Sequence, residues 1–233
     1  MQAFSLTRLS GSRRWFIVCL LALAGCATPP SAVKTESTVA GRPDATPPTV
    51  TAPARRPLKL GLALGGGAAR GFAHVGILQV LEEAGIQPHL VVGTSAGSMV
   101  AAFYASGRNG AQLQKLAETM EEAALTDWNL PLTSRGLIKG DGLAKYVASV
   151  TGGKRIEDLA MPLGIVATDL HTGLGVLFQK GDIATAVRAS SAVPAMFDPV
   201  RIGGRDFVDG GLVSPVPVRY ARQMGADVVL AVD

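Results

Sequence analysis

The chain contains few histidines: His74, His89 and His171 are the only three in 233 residues. Hydrolases with a serine nucleophile usually activate it with a histidine that follows both the serine and an acid in the chain. None of the three fits that order. Two precede Ser95, the candidate nucleophile in the G-x-S-x-G pentapeptide Gly93–Gly97, and His171 lies in a polar turn after a predicted strand. We therefore interpret all three as structural histidines and expect a carboxylate to act on the serine directly.

The chain also contains few cysteines and has a small net charge. Cys19 and Cys26 are the only two cysteines, and we expect the segment that holds Cys19 to be removed, which excludes a disulfide within the mature chain. The formal net charge of +4 depends on Arg8, Arg13 and Arg14 of that same segment. Removing these three of the 22 basic residues leaves 19 against 18 acidic ones, so we expect no nucleic-acid partner.

Residues 1–25 have the pattern of a secretory signal. A basic start is followed by the apolar run Trp15–Ala24, whose ten residues are too few to span a bilayer. The run leads into Leu23-Ala24-Gly25-Cys26, which resembles a bacterial lipobox, so we expect Cys26 to be acylated and to become the first mature residue. The alternative is a buried, inert cysteine. Ala27 favours the outer membrane, which predicts a lipid-anchored protein of the bacterial cell envelope on the periplasmic face of that membrane.

The composition changes after the signal. Residues 26–57 comprise the lipidated cysteine and a stretch with seven of the fourteen prolines, which predicts a disordered tether. Residues 58–233 are enough for one hydrophobic core and show no internal repeat. Their last residues, Val228–Asp233, are predicted to form a buried strand. A chain seldom stops in such a strand, which leaves open a continuation beyond Asp233 that could carry another histidine.

A G-x-S-x-G pentapeptide, Gly93–Gly97, follows the apolar run Leu90–Val92 and leads into a predicted helix. This order of strand, sharp turn and helix is typical of a nucleophile elbow, in which the serine has a strained, exposed backbone. Gly93 and Gly97 must lack bulk because the strand crowds the helix at these positions. Ser95 also precedes the first helical turn, whose free N–H groups and positive dipole end favour a developing oxyanion.

A second glycine-rich segment, Gly65-Gly66-Gly67, follows the predicted strand Leu58–Leu64 and opens a helix that runs to about Gly85. Its backbone N–H groups could bind either a phosphate or an ester oxyanion. The acidic residue of a dinucleotide site and the Gly-Lys-Ser/Thr ending of a P-loop are both missing. We therefore favour an oxyanion hole formed by this loop and the N–H of Ala96. Arg70 supports the loop or meets a lipid phosphate, unless it is a solvated arginine paired with a carboxylate.

Two aspartates are candidates for the base. Asp209 ends the predicted strand Arg205–Val208, and Gly210-Gly211 after it allow close backbone approach. Asp169 ends another predicted strand, Leu163–Thr168. Sites in open α/β sheets gather at the carboxyl ends of strands, which supports both residues. We prefer Asp209 because of its glycines, although an Asp-Gly pair also commonly opens a turn.

Strands alternate with helical stretches from Leu58 onward, which predicts an α/β fold with a largely parallel central sheet. The first helix has a wide apolar face. Further helices are predicted at residues 111–124, 141–150 and 182–191.

The glycine loop, the serine elbow and Asp209-Gly210-Gly211, in this order and without a downstream histidine, resemble the patatin-like phospholipases. The resemblance is strongest to the bacterial branch similar to the neuropathy target esterase catalytic domain. It spans residues 58–233 and includes Ala186–Pro194 and Gly225–Asp233. It implies a three-layer α/β/α patatin-like fold.

The resemblance also implies a Ser95–Asp209 catalytic dyad, an oxyanion hole from Gly65-Gly66-Gly67 and Arg70-Gly71, and acyl-ester hydrolysis without calcium. Ala68 departs from the family's G-G-G-x-[KR]-G loop by standing at the third glycine. If that position needs positive φ, alanine adds about 1 kcal/mol of strain, which would reduce activity.

We expect a hydrolase without cofactor or metal that cleaves acyl esters of membrane phospholipids or lysophospholipids. Two alternatives stay open. One is an acyltransferase on the same dyad, and the other is a non-catalytic lipoprotein that binds lipid.

Overall fold

A computed structural model describes residues 56–120 and 136–233. The predicted signal, Cys26 and residues 27–55 of the predicted tether lie outside the described residues, as do positions 121–124 of one predicted helix. No helix in the two described ranges is long and apolar enough to cross a membrane.

Within these ranges the chain forms seven strands and six helices. The strands are β1 (Leu60–Leu64), β2 (Leu90–Thr94), β3 (Leu163–Asp169), β4 (Gly175–Phe178), β5 (Val200–Ile202), β6 (Arg205–Asp209) and β7 (Val228–Val232). The helices are α1 (Ala73–Glu83), α2 (Ala96–Ala105), α3 (Gly110–Thr119), α4 (Asp141–Thr151), α5 (Ile183–Ser190) and α6 (Val218–Gln223). Short 3₁₀ turns lie at Ala68–Phe72, Ile156–Asp158 and Gly210–Leu212.

The strands form one mixed sheet in the order β5-β6-β3-β2-β1-β7, and β4 also pairs with β3. Strands β7, β1, β2 and β3 run parallel, whereas β4 and β6 run antiparallel to β3. Buried side chains of β1, β2 and β3, such as Leu62, Val91 and Ile165, pack against helices α1 to α5. The alternate residues Ala63 and Val92 pack against α6 on the opposite face. The predicted three-layer α/β/α fold with a largely parallel sheet is confirmed.

The prediction for the last strand is wrong in one respect. Val228 and Leu230 of β7 are 45% and 37% exposed, whereas the sequence predicts a buried strand. A continuous apolar run is typical of a buried parallel strand. Because β7 pairs with β1 on one side and lies at the end of the described sheet, its apolar residues are covered only in part.

The edge of β3 that faces β2 determines the position of the site. Thr94, the last residue of β2, pairs with Val166, and Asp209, the last residue of β6, pairs with Ala167. Strand β4 occupies the other edge of β3 over these same positions, so β2 and β6 must share one edge. The two strands therefore meet head-on, and their final residues are neighbours. This arrangement brings positions 95 and 209 together from 114 residues apart.

Candidate active site

Ser95 lies in a strained turn between β2 and α2, with φ 51° and ψ −125°. The two elbow glycines have no room for a side chain. A Cβ on Gly93 would lie 2.3 Å from the carbonyl oxygen of Gly97, and a Cβ on Gly97 would lie 2.4 Å from the carbonyl oxygens of Leu64 and Gly65. Ser95 is half-buried rather than exposed, because the chain segments around the elbow cover it.

The Ser95 hydroxyl contacts one carboxylate. Its Oγ donates a hydrogen bond to Asp209 Oδ2 at 2.6 Å, while Asp209 Oδ1 accepts the N–H of Gly211 at 2.6 Å. Asp209 is only 6% exposed. Burial raises the pKa of Asp209 above the ordinary value of an aspartate, and the hydrogen bonds from Ser95 and Gly211 oppose that rise. Asp209 is therefore better suited to accept a proton than a solvated aspartate.

The three histidines lie elsewhere. His74 is 1% exposed and its Nε2 donates to the carbonyl oxygen of Gly65 at 2.8 Å. His89 Nδ1 accepts the N–H of Leu60 at 3.1 Å, and His171 is exposed in the turn after β3. In the described part of the chain, no histidine forms a hydrogen bond with Ser95 Oγ.

The glycine loop passes beside the nucleophile, because a Cβ on Gly66 would lie 3.3 Å from Ser95 Cβ. Two of its N–H groups are already occupied: Gly65 donates to Val232 O at 2.8 Å and Gly66 donates to Pro215 O at 3.0 Å. These contacts correct the prediction that Gly65 and Gly66 contribute N–H donors to an oxyanion hole. The N–H groups of Gly67 and Ala96 have no acceptor among the described residues. Ala96 is the first residue of α2, where backbone N–H groups lack a partner within the helix. Of the four N–H groups predicted for the oxyanion hole, these two therefore remain without an acceptor in the described part of the chain.

Comparison with known proteins identifies the family of this chain. The family model described as "Patatin-like phospholipase" matches residues 62–222. The chain belongs to the patatin-like phospholipase family. An uncharacterized NTE family protein of Mycobacterium tuberculosis is 33% identical over 174 residues, which is 75% of this chain and 48% of that protein. Human patatin-like phospholipase domain-containing protein 6 is 35% identical over an alignment of 184 positions that covers 75% of this chain and 13% of that protein.

The chain thus spans about half the length of the mycobacterial relatives that it matches. Among solved structures, VipD from Legionella pneumophila has a similar fold, with a TM-score of 0.51 and 19% sequence identity. That match covers 66% of this chain and 46% of VipD.

Ala68, the departure from the patatin-like glycine loop, has φ 50°. A non-glycine residue in this region is strained by roughly 1 kcal/mol, which is the condition under which the sequence predicts a cost. Gly67 beside it has φ 145°, another conformation that favours glycine. The 3₁₀ turn at Ala68–Phe72 is therefore entered through two successive residues at positive φ, its N-cap Gly67 and its first residue Ala68.

Arg70 lies over the patatin-like loop rather than against an acid. A Cβ on Gly67 would lie 3.3 Å from Arg70 Cβ and 3.4 Å from Arg70 Nε. Arg70 has no carboxylate partner among the described residues. Gly71 packs directly on the elbow, since a Cβ there would lie 2.6 Å from Ala96 Cβ. The cation of Arg70 is thus close to Gly67, one of the two free donors.

The rival aspartate, Asp169, is held in a different environment. It is fully buried, forms an ion pair with Arg205 and accepts the N–H groups of His171 and Thr172 at 2.8 and 2.9 Å. The hydrogen bond from Thr172 is the main cause that lowers the pKa of Asp169. It lines a cleft that includes neither Ser95 nor Asp209. A carboxylate with a lowered pKa and these partners is poorly suited to be a base.

Sequence reasoning missed several polar residues that hold the patatin-like site. Thr94 Oγ1 donates to Ser214 O at 3.0 Å, and Thr168 Oγ1 donates to Asp209 O at 2.8 Å. Ser98 Oγ donates to Ser95 O at 2.6 Å. Ser190, which is fully buried, accepts the N–H of Ser95. The only sequence signal for Ser190 is its place in Ala186–Pro194, one of the segments that resemble the family.

Proposed function

We propose that this chain is a serine hydrolase that cleaves acyl esters of phospholipids or lysophospholipids with a Ser95–Asp209 dyad. The observation that carries the proposal is the 2.6 Å hydrogen bond from Ser95 Oγ to the buried carboxylate of Asp209. Membership of the patatin-like phospholipase family supports a lipid ester as the substrate. A hydrolase needs both a positioned nucleophile and a group that takes its proton, and these two side chains supply them.

The reaction would proceed in two stages. Ser95 Oγ attacks the acyl carbonyl carbon while its proton moves to Asp209 Oδ2, and the carbonyl oxygen becomes an oxyanion held by the N–H groups of Gly67 and Ala96. Collapse of this intermediate expels the alcohol, which takes the proton from Asp209 and leaves the acyl group on Ser95. Water then attacks the acyl-enzyme while Asp209 accepts a proton from it. Collapse of the second intermediate breaks the bond to Ser95 Oγ, which takes the proton back from Asp209, and the free fatty acid leaves.

The environment of Asp209 supports its role as the base. An aspartate with an ordinary pKa of about 3.9 is a weak base at neutral pH. Burial raises the pKa of Asp209, which brings its basicity closer to what the proton transfer needs. The positive end of α2 and the free N–H groups beside Ser95 would stabilise the negative charge that moves onto the carbonyl oxygen.

We also propose that Cys26 is acylated and anchors the protein at the periplasmic face of the outer membrane. The lipobox-like sequence before Cys26 and the proline-rich stretch after it support this proposal. A tether of this composition would let the hydrolase reach lipids across the surface of its own membrane.

Replacement of Ser95 by alanine tests the proposed function. We expect the wild-type protein to be labelled at Ser95 by a fluorophosphonate probe and to release fatty acid from a mixed phospholipid extract. Ser95→Ala should lose the labelling and reduce fatty-acid release by about 10⁴-fold or more, because the nucleophile is gone. Mass spectrometry of the adduct and of the lipid products measures both results.

Ser106→Ala is the matched control, because Ser106 lies at the end of α2 and, among the described residues, its hydroxyl donates only to Ala102 O, at 2.7 Å. It should keep wild-type labelling. Undiminished hydrolysis in Ser95→Ala would contradict the mechanism. Esters formed with added acceptor lipids would identify an acyltransferase, and a wild-type protein that neither labels nor hydrolyses lipid would identify a non-catalytic lipoprotein.

A further inference from the structure

The end of helix α5 lies where β2 and β6 meet. Ser190, its last residue, is fully buried, and its Oγ accepts the N–H of Ser95 at 2.9 Å. The same hydroxyl donates its proton to the carbonyl oxygen of Val166 in β3 at 2.5 Å. One side chain therefore bridges the backbone of the nucleophile and the backbone of the central strand.

This bridge replaces one backbone hydrogen bond between β2 and β3. At the start of the β2–β3 ladder, Val91 N–H donates to Pro162 O at 3.0 Å, and donors in a parallel ladder recur at every second residue. In the observed register the next hydrogen bonds of this ladder would run from the N–H of residue 93 to the carbonyl of residue 164, and from the N–H of residue 95 to the carbonyl of residue 166. The turn at Ser95 breaks the last of these hydrogen bonds, and the Ser190 hydroxyl bonds to both groups instead.

The other dyad residue is held two positions further along the chain. The N–H of Asp209 donates to the carbonyl oxygen of Ala192 at 2.9 Å. Ser190–Ala192, which we call the dyad clamp, thus binds the backbone N–H groups of both the nucleophile and the proposed base. The hydrogen bond from Ser95 Oγ to Asp209 Oδ2 thus joins two residues whose backbones both contact this short segment.

The clamp rests on a well-anchored helix. The side chain of Asp182 caps α5 by accepting the N–H of Thr185 at 2.7 Å. Ile183 and Val187 are fully buried in the core between the helices and the sheet. A rigid support matters because catalytic groups must be held to within about 0.5 Å of the productive geometry.

We propose that Ser190 is a positioning residue for the reaction. Its hydroxyl bridges the N–H of Ser95 and the carbonyl of Val166, and thereby holds the strained backbone of Ser95 in position against Asp209. The role rests on the proposed function, since it acts through Ser95. Loss of the hydroxyl would leave the N–H of Ser95 and the carbonyl of Val166 without their partner in a buried site. The backbone of Ser95 would then be free to shift, and the hydrogen bond to Asp209 would lengthen.

Ser190→Ala in the full chain tests this role, with Thr151→Val as the matched control. Thr151 is 3% exposed, and its hydroxyl likewise donates to a backbone carbonyl, that of Val147, at 2.9 Å within α4. We expect Ser190→Ala to lower kcat on a soluble acyl ester by about 10- to 100-fold, with KM within twofold of wild type. Thr151→Val should leave kcat within twofold.

The pH profile separates positioning from general loss of stability. The hydrogen bond from Ser95 holds down the pKa of Asp209, so weakening it should move the acid limb of the kcat/KM profile to higher pH in Ser190→Ala. Ser190→Thr, which keeps the hydroxyl, should recover much of kcat and return the acid limb toward wild type. Thr151→Val should not move the limb.

Amide hydrogen exchange gives a readout that needs no activity and no rescue variant. We expect faster exchange in Ser190→Ala within residues 93–98, and unchanged exchange there in Thr151→Val. A folded Ser190→Ala with wild-type exchange in that segment, or with wild-type kcat and acid limb, would overturn the proposal. If the wild-type protein proves inactive, the proposed function fails, and the exchange comparison alone decides whether Ser190 holds the elbow.

Discussion

Asp209→Asn is expected to lower kcat for ester hydrolysis by about 10³-fold or more while the protein stays folded. Asparagine has nearly the same shape as aspartate, and its Oδ1 can still accept the N–H of Gly211, which lies 2.6 Å from Asp209 Oδ1. Its amide nitrogen would face Ser95 Oγ where Oδ2 now accepts a proton. The site would keep its geometry and lose its base. Steady-state kinetics on a soluble ester and on lipid vesicles measures the effect.

The same substitution should not destabilise the protein at neutral pH. The pKa of Asp209 is raised in the folded state, so its ionised form opposes folding, and stability is lost as the pH rises through the folded-state pKa. Asparagine is neutral at every pH and removes that loss. We expect the free energy of unfolding of Asp209→Asn at pH 7 to equal or exceed that of wild type in urea denaturation.

Asp169→Asn is the matched control, and it should behave in the opposite way. The lowered pKa of Asp169 means that its charge stabilises the fold above its unfolded-state pKa, and that this stability is lost as the pH falls through the folded-state pKa. Asp169→Asn should therefore lower the free energy of unfolding at pH 7 and keep kcat within a few-fold. If Asp169→Asn lost ester hydrolysis and Asp209→Asn retained it, Asp169 and not Asp209 would be the base.

Gly97→Ala is expected to disrupt both folding and activity. The added Cβ would lie 2.4 Å from two carbonyl oxygens, those of Leu64 and Gly65, where β1 ends and the glycine loop begins. These are backbone atoms of a buried strand end, so relief requires the elbow and the loop to move apart. We expect the free energy of unfolding to fall by about 3 kcal/mol and the hydrolysis rate to fall at least about 100-fold.

Gly76→Ala provides the comparison for this glycine. Gly76 lies within α1, and an added Cβ would meet nothing within 4 Å. Alanine in the interior of a helix is favoured over glycine by about 0.8–1.0 kcal/mol, so Gly76→Ala should stabilise the protein and leave hydrolysis unchanged. Urea denaturation and ester kinetics on the two variants test the packing argument. If Gly97→Ala behaved like Gly76→Ala, the close packing of Gly97 against the end of β1 would not be required for folding or activity.

The sequence predicted the parts of the site that depend on local chemistry. Gly93 and Gly97 are required because a Cβ at either position would collide with backbone atoms. Such a requirement is visible in the sequence as two glycines at a fixed spacing. The glycines after Asp209 favour it over Asp169, and the structure brings Asp209, not Asp169, to Ser95. The strand and helix pattern likewise predicted the layered fold, since apolar spacing reports which face of an element is buried.

Other parts depend on contacts between distant segments and have no local signal. The N–H groups of Gly65 and Gly66 are occupied because β7 and the residues after Asp209 approach the loop, through Val232 O and Pro215 O. Ser190 holds Ser95 from 95 residues further along the chain. The exposure of β7 depends on its place at the end of the described sheet rather than on its apolar composition.

The pH dependence of fluorophosphonate labelling at Ser95 tests the two-residue proton transfer most directly. The labelling rate should rise through a single ionisation whose apparent pKa lies above that of an ordinary aspartate, since burial raises the pKa of Asp209. That ionisation should persist in His171→Gln and disappear in Asp209→Asn. A labelling rate whose ionisation disappears in His171→Gln, or survives in Asp209→Asn, would contradict the dyad.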